Sequence, residues 1–393
     1  MKDILFMVGQ YLSFYKVKTS ILVLSITLIF YLPAGLKVIV DQSADSLTSR
    51  AVATPLIVGS KGSSLELVLN SLYFDTKAPE TMRYRHYNRI TQSGLATAIP
   101  LNSRFRVGQF QIIGTTLDYF DYRGLILAEG GNLSLLGDCV LGAKASQKMG
   151  LSAGDEVMSS PENVFNLAGE YPLNMHISGV LEYSDSPDDD AVFVDIKTAW
   201  VIEGLAHGHV NLAEPEAAAG VLKQEGNVIV GNASVTQYNQ ITVDNMDSFH
   251  FHGDPDGFPL TAIIVIPHNE KSSTILRGKY LGDEEDVQIV KPLEVMNELL
   301  ETIFTVQSYV VTAIVVIGLS TLATSVLVFL LSLRLRKREI QTMHKIGGSR
   351  RRILAILASE ILAVLMLGAS ISLILTIITA KFGPAILKGI LLG

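Results

Sequence analysis

Three long apolar runs divide the chain. Thr19–Val40 is interrupted only at Lys37, Tyr309–Leu333 carries no charge, and Ile353–Ala380 carries only Glu360. A bilayer core takes about 20 apolar residues of helix, so each run is long enough to cross it. Ahead of the first run, Ile4, Leu5, Val8, Tyr11, Leu12 and Tyr15 share one helical face. That face predicts a helix lying in the membrane interface over residues 1–18. The first run is too long for a signal-peptide core and no A-x-A site follows, so it reads as an uncleaved anchor over 19–40. Between the first and second runs the period shortens. Pro55–Gly59 reads as a strand ending in a Gly/Ser turn and Ser64–Leu72 as a helix. Phe105–Gly114, with Phe105, Val107, Phe110 and Ile112 alternating, reads as one half-buried strand. Cys139–Gly142 predicts a strand leading into a helix over Ala143–Met149. His176–Leu181 and Ala191–Asp195 read as a strand pair joined by an acidic turn through Asp185, Pro187 and Asp190. Leu293, Met296, Leu300, Ile303 and Phe304 then form a stripe on a stalk helix expected to run into the second span.

Charge orients these pieces. The link Arg334–Arg352 carries eight Lys/Arg and one Glu, an excess that marks a cytoplasmic loop. Lys16 and Lys18 put the N-terminus on the same side. Within the link Ile340, Met343 and Ile346 are spaced for one apolar stripe of a short helix. Gly347-Gly348 supplies a left-handed stop, and Ser349 an N-cap for the next helix. Residues 41–302 hold 35 Asp/Glu against 17 Lys/Arg, a net −18 within an overall −7. An acidic middle with basic flanks fits one extracytoplasmic domain, and it argues against nucleic acid as a partner, since phosphate contacts need clustered cations. Cys139 is the only cysteine, which excludes an internal disulfide and leaves it as a small buried hydrophobe.

The run from Arg338 to Ile353 resembles the cytoplasmic coupling segment of the MacB/FtsX-type (type VII) ABC transporter permeases. The match lies at Arg338, Glu339, Ile340, Gly347, Ser349, Arg350, Arg351 and Ile353, with Gly348 where that family often has Ala. The middle region is similar to the periplasmic core of the same family. The likeness lies at Val140, Leu141, Gly142, Gly150, Leu151, Gly154, Asp155, Gly179, Val180, Leu181, Asp189, Asp190 and Phe193, and along Gly59–Leu69. The glycines in these motifs suit turns of positive φ. The resemblance implies that the coupling segment lodges in a cleft of a separate cytoplasmic ABC ATPase, which holds the ATP and Mg²⁺. It also implies that two copies of the chain work together in the bacterial inner membrane. The family has four spans. Here residues 381–393 are a short C-terminal segment with Lys388 inside it, too short to cross. Three spans result, with the N-terminus inside and the C-terminus outside.

Chemistry is sparse. No G-x-x-x-x-G-K-[S/T], G-x-S-x-G or H-E-x-x-H occurs, so neither an ATPase nor a hydrolase reading finds support. Gly318, Thr321 and Ser325 form a small-residue face in the second span, suited to a close helix contact with a second copy or within the chain. Glu360, inside the third span, reads as a structural carboxylate reaching toward Arg350–Arg352 or bonding a neighbour's hydroxyl. Seven of the eight histidines fall in the acidic region, four of them as His207-Gly-His209 and His250-Phe-His252. Residues two apart on a strand face one side, so each pair could offer two imidazoles to one Zn²⁺. Asp247, Asp254 and Asp256 stand by as oxygen donors or partners. Solvent-facing pairs on loops are the plainer alternative.

The sequence therefore predicts an α+β membrane protein: an interfacial helix (1–18), a first span (19–40), one large mixed α/β periplasmic domain of the MacB type with stalk helices (41–302), a second span (303–333), a coupling segment (334–352), a third span (353–380) and a tail (381–393). It is expected to be the permease subunit of an ABC transporter, itself no enzyme, transmitting motion from the ATPase to a periplasmic or lipid substrate, with a periplasmic binding or adaptor protein as a further partner. The alternatives are a zinc- or metal-handling permease using the histidines, an FtsX-like regulator of a periplasmic hydrolase, or a membrane-anchored binding protein outside the ABC systems.

Overall fold

The computed structural model describes residues 2–75, 77–160, 172–208, 221–225, 228–231, 238–280, 286–345 and 349–391. It divides into a helical unit, Met1–Ser49 with Asn297–Gly393, and a larger α/β unit, Arg50–Met296. His209, Ile346, Gly347 and Gly348 lie outside the described residues.

The helical unit is built from α1 (Lys2–Phe14), α2 (Lys16–Val52), α9 (Pro292–Leu335), α10 (Lys337–Lys345) and α11 (Arg350–Leu391). Of these, α2, α9 and α11 are long and apolar enough to cross a membrane. They pack by bringing small residues together, since lipid tails offer no driving force against apolar side chains. A Cβ at Gly368 of α11 would lie 2.6 Å from Ile26 Cγ2 of α2. Thr27 Oγ1 donates to Gly368 O at 3.3 Å, Tyr31 and Thr379 share a hydroxyl bond of 2.9 Å, and Gln42 Nε2 donates to Ala380 O at 2.8 Å. These bonds run along the pair, so α2 and α11 are joined over most of their shared length. The outer sides, Val315, Val316 and Leu319 on α9 and Leu362 and Met366 on α11, are exposed apolar surface.

Two boundaries differ from expectation. The interfacial helix ends at Phe14, and Lys16 already opens α2. The backbone bonds Tyr15 N to Tyr11 O and Thr19 N to Tyr15 O bridge the junction. Residues 381–391 are not a separate tail but continue α11 past Pro384.

The α/β unit holds two sheets. The first is antiparallel, formed by β17 (Val287–Val290), β1 (Leu56–Ser60), β16 (Ala262–Pro267) and β3 (Ala96–Leu101), in that order. Leu56, Ile57, Val58, Ile263, Ile264 and Val265 are wholly buried, because both sheet faces are covered. The covering elements include α3 (Ser64–Tyr73), α4 (Arg85–Gln92) and α8 (Glu270–Lys279). Ser63 caps α3 through Glu66 N, as its place before the apolar run requires. The second sheet is mixed, in the order β4 (Arg106–Val107), β5 (Phe110–Thr115), β10 (Ala191–Asp195), β7 (Asp138–Leu141), β9 (Asn174–Leu181) and β6 (Leu127–Gly130), with β8 (Glu156–Met158) also on β9. Helices α5 (Leu117–Arg123) and α6 (Ala143–Met149) connect its strands, and α7 (Ile196–Ile202) leads from β10 out of the sheet. Two-stranded ribbons complete the unit: β2 (Met82–Arg83) with β15 (Pro259–Leu260), β11 (Ala206–His207) with β14 (His250–Phe251), and β12 (Val221–Glu225) with β13 (Val228–Gly231). Helix α7 belongs to both cores: Ala199 and Ile202 join that of the mixed sheet, Ile196 and Trp200 that of the antiparallel sheet.

The mixed sheet corrects two sequence readings. Phe105–Gly114 is a hairpin, not one strand, turned at Gly108 with φ +56°. All six residues of β5 are buried, because its neighbours cover both faces. The strands β9 and β10 do not pair with each other; β7 lies between them, parallel to β9 and antiparallel to β10. The connecting segment spans a strand's width, and its short 3₁₀ turn Pro187–Asp190 buries Asp188 and Asp189 instead of exposing an acidic loop. The family glycines divide as well. Gly150 and Gly154 take positive φ. Gly142 and Gly179 do not, and are needed because a Cβ would strike the carbonyls of Asp188 and Gly131.

Candidate functional site

The short helix α10 joins the two long helices α9 and α11. Ile340 and Met343 are half-buried along its apolar stripe, while Arg338, Gln341, Thr342 and Lys345 are exposed. Ser349 stands directly ahead of α11, with Arg352 N donating to its Oγ at 3.4 Å and to its carbonyl at 3.0 Å, and Arg350 and Arg351 follow, both exposed. Glu339 lies in the middle of α10's first turns.

The base on which α10 stands was legible only as far as Glu360; its partners are Arg336 and Lys18, not Arg350–Arg352. Arg336, the residue between α9 and α10, is buried and bonds Glu360 Oε2 at 3.2 Å. Lys18 reaches Glu360 Oε1 at 3.5 Å and donates to Ser332 Oγ at 2.7 Å. The Arg336 guanidinium also stacks 3.7 Å over the Tyr11 ring, a cation–π contact. Glu360, only 4% exposed, thus ties α11 to α2 and to the start of α10, while Tyr11 brings in α1. The available signal was an acidic residue in an apolar run with basic residues at both neighbouring run ends. It could not say which of ten nearby cations would be chosen. On α9 Gly318 is buried and Thr321 and Ser325 half-buried, on the side turned toward α2; Gly318 faces Ile29, to which an added Cβ would stand 3.5 Å away.

In the α/β unit, Arg50 on the last turn of α2 makes a two-pronged pair with Asp188, Nη1 to Oδ2 at 2.6 Å and Nη2 to Oδ1 at 2.8 Å. Tyr119 OH donates to the same Oδ1 at 2.7 Å. Burial works to raise the Asp188 carboxyl, but Arg50, the Tyr119 hydroxyl and the charge of Arg123 outweigh it and hold it below the usual carboxylate range. Phe74, in the left-handed region at φ 57°, is held there between Arg50, 5.6 Å from its ring, and Phe193.

Among the described residues three of the four paired histidines come together. In the β11/β14 ribbon His207 lies directly opposite His250, and His252 follows two residues on, its N–H donating to Leu205 O at 2.8 Å. The ring centroids stand 5.1, 4.6 and 4.7 Å apart, and one ring nitrogen of each lies within 4.8 Å of those of the other two. Two of the flanking aspartates have other work: Asp254 caps its own turn through Asp256 N, and Asp256 accepts from Asn88. Cys139 is fully buried in β7 and its thiol is pushed up by burial and by Asp138, which removes it as a thiolate ligand at neutral pH.

Residues 20–240 match the family described as the MacB-like periplasmic core domain. The chain belongs to that family. It is thereby a MacB/FtsX-like type VII ABC transporter permease, with the MacB-like core in the α/β unit. Among solved structures it is similar to the periplasmic region of MacB from Actinobacillus actinomycetemcomitans, at 14% identity over 63% of this chain and 92% of that one, with a TM-score of 0.34. It is also similar to the extracellular domain of the noncanonic ABC-type transporter YknZ from Gram-positive bacteria, at 12% identity over 60% and 98%, with a TM-score of 0.33. No curated protein matches the chain.

Proposed function

We propose that this MacB-like permease works as the membrane subunit of a two-part machine. A cytoplasmic ABC ATPase grips α10, and a second copy of the chain completes the assembly. ATP-driven movement of α10 passes through α9 and α11 to the MacB-like core outside, which acts on a periplasmic or lipid substrate, with or without a periplasmic adaptor protein. The observation that carries this reading is α10 itself, a nine-residue amphipathic helix with a basic rim between two helices of span length. Such a helix offers a narrow apolar stripe to a groove and surrounds it with charge that steers the encounter. The Glu360 cluster supports it, because a force applied at α10 reaches α2, α9 and α11 only if its base is stiff.

The test is co-purification. Tagged chain extracted from its own membranes should bring down an ATPase subunit, identified by mass spectrometry. The variant Ile340→Asp/Met343→Asp should lose it while remaining inserted, because a charge forced into an apolar cleft costs several kcal/mol. Complex retained by the variant would sink the docking assignment.

A further inference from the structure

The stretch Phe249-His250-Phe251-His252 alternates aromatic and imidazole with the period of a strand. Phe249 and Phe251 turn inward against the cores, and Phe251 meets Trp200 edge-on at 6.5 Å. His250 and His252 consequently share the outer face, and the antiparallel register sets His207 on that face opposite His250. The trio is therefore mounted on core-anchored backbone, with the side chains at the solvent edge: His207 half-buried, His250 and His252 exposed. His250 Nδ1 lies 3.1 Å from Ser248 O. A carbonyl only accepts, so Nδ1 is the donor in this bond, and Nε2 is the acceptor nitrogen of the neutral ring. That orienting bond is the usual companion of a metal-bound imidazole.

We propose that His207, His250 and His252 form a Zn²⁺ site with an exchangeable fourth position. Three neutral nitrogens suit a first-row cation of borderline softness and do not suit Mg²⁺ or Ca²⁺, which take oxygen. Tetrahedral zinc holds nitrogen at about 2.0–2.1 Å, so the ring nitrogens, now within 4.8 Å of one another, would draw closer around the ion. Among the described residues the trio supplies three of the four ligands of tetrahedral zinc, and a fourth taken from water or another small ligand would be exchangeable. This proposal goes beyond the coupling mechanism and stands without it.

The experiment uses the full chain in detergent, stripped with a chelator and titrated with ZnCl₂ against a competing indicator. One Zn²⁺ per chain is expected, unaffected by millimolar Mg²⁺. His250→Ala/His252→Ala should lose on the order of a hundredfold in affinity, and His207→Ala a large part of that. His176→Ala, an exposed histidine on β9, should change nothing. Fluorescence of Trp200, the only tryptophan, reports whether each variant is folded. Azide added to the Co²⁺-loaded protein should shift its visible spectrum, as an exchangeable ligand requires. Sub-stoichiometric binding, equal affinity in a folded double variant, or an equal loss in His176→Ala would overturn the site. A Co²⁺ spectrum indifferent to azide would overturn the open position.

Discussion

At the scale of single residues, Arg50 and Asp188 form a buried charge pair in the α/β unit. Both side chains are nearly inaccessible, so each depends on the other. Asp188→Asn keeps the volume but leaves the guanidinium without a counter-charge, at a cost of about 3–5 kcal/mol. The sign with pH follows from the depressed carboxyl. A folded value below the unfolded one, about 3.9, makes the pair's stabilisation complete above that pH and lost as pH falls through the folded value. The melting temperature read by Trp200 should therefore separate wild type from Asp188→Asn at neutral pH, with the gap narrowing below about pH 4. A gap constant across that range would mean that Asp188 is not the ionised partner. None of this was readable in the sequence, where Asp188 is one of three consecutive aspartates and Arg50 stands 138 residues away. The histidines were half-legible. Their two-residue spacing announced a shared face within each pair, but only the pairing of β11 with β14 could bring His207 to His250.

At the scale of elements, periodicity served where one face decides. The three long helices, α3 and β1 fell close to their expected places because apolar period and caps agree there. It failed where topology decides. The strands β9 and β10 are adjacent in sequence, yet β7 intervenes, and nothing local distinguishes a hairpin partner from a second neighbour. The region around α10 shows the same division: the helix was legible from Ile340 and Met343, the partners of Glu360 at its base were not. The Glu360 cluster makes that base testable as a unit. Glu360→Leu should leave Arg336 and Lys18 facing each other in an apolar setting and lower the temperature at which the purified chain keeps a single size-exclusion peak. Glu360→Leu with Arg336→Met should recover part of the loss, since removing both charges is milder than removing one. Purely additive losses would reduce the cluster to a chance proximity.

At the scale of the whole molecule, the reading depends on sidedness: α10 must face the ATPase, and the MacB-like core must face away from it. The acid-rich α/β unit, net −18 over residues 41–302, and the basic link 334–352 argue for this arrangement from charge alone. The chain is suited to a direct check, because its one cysteine is wholly buried in β7 and should stay silent to reagents. Ser152→Cys places a thiol at an exposed position of the core, and Gln341→Cys places one on the exposed side of α10. A membrane-impermeant maleimide that has passed the outer barrier of intact cells should label the first and spare the second. After the inner membrane is opened, both should react. Labelling of Gln341→Cys in sealed cells would put α10 outside. An ATP-using subunit could not then grip it, and the α/β unit would have to be reassigned to the cytoplasmic side.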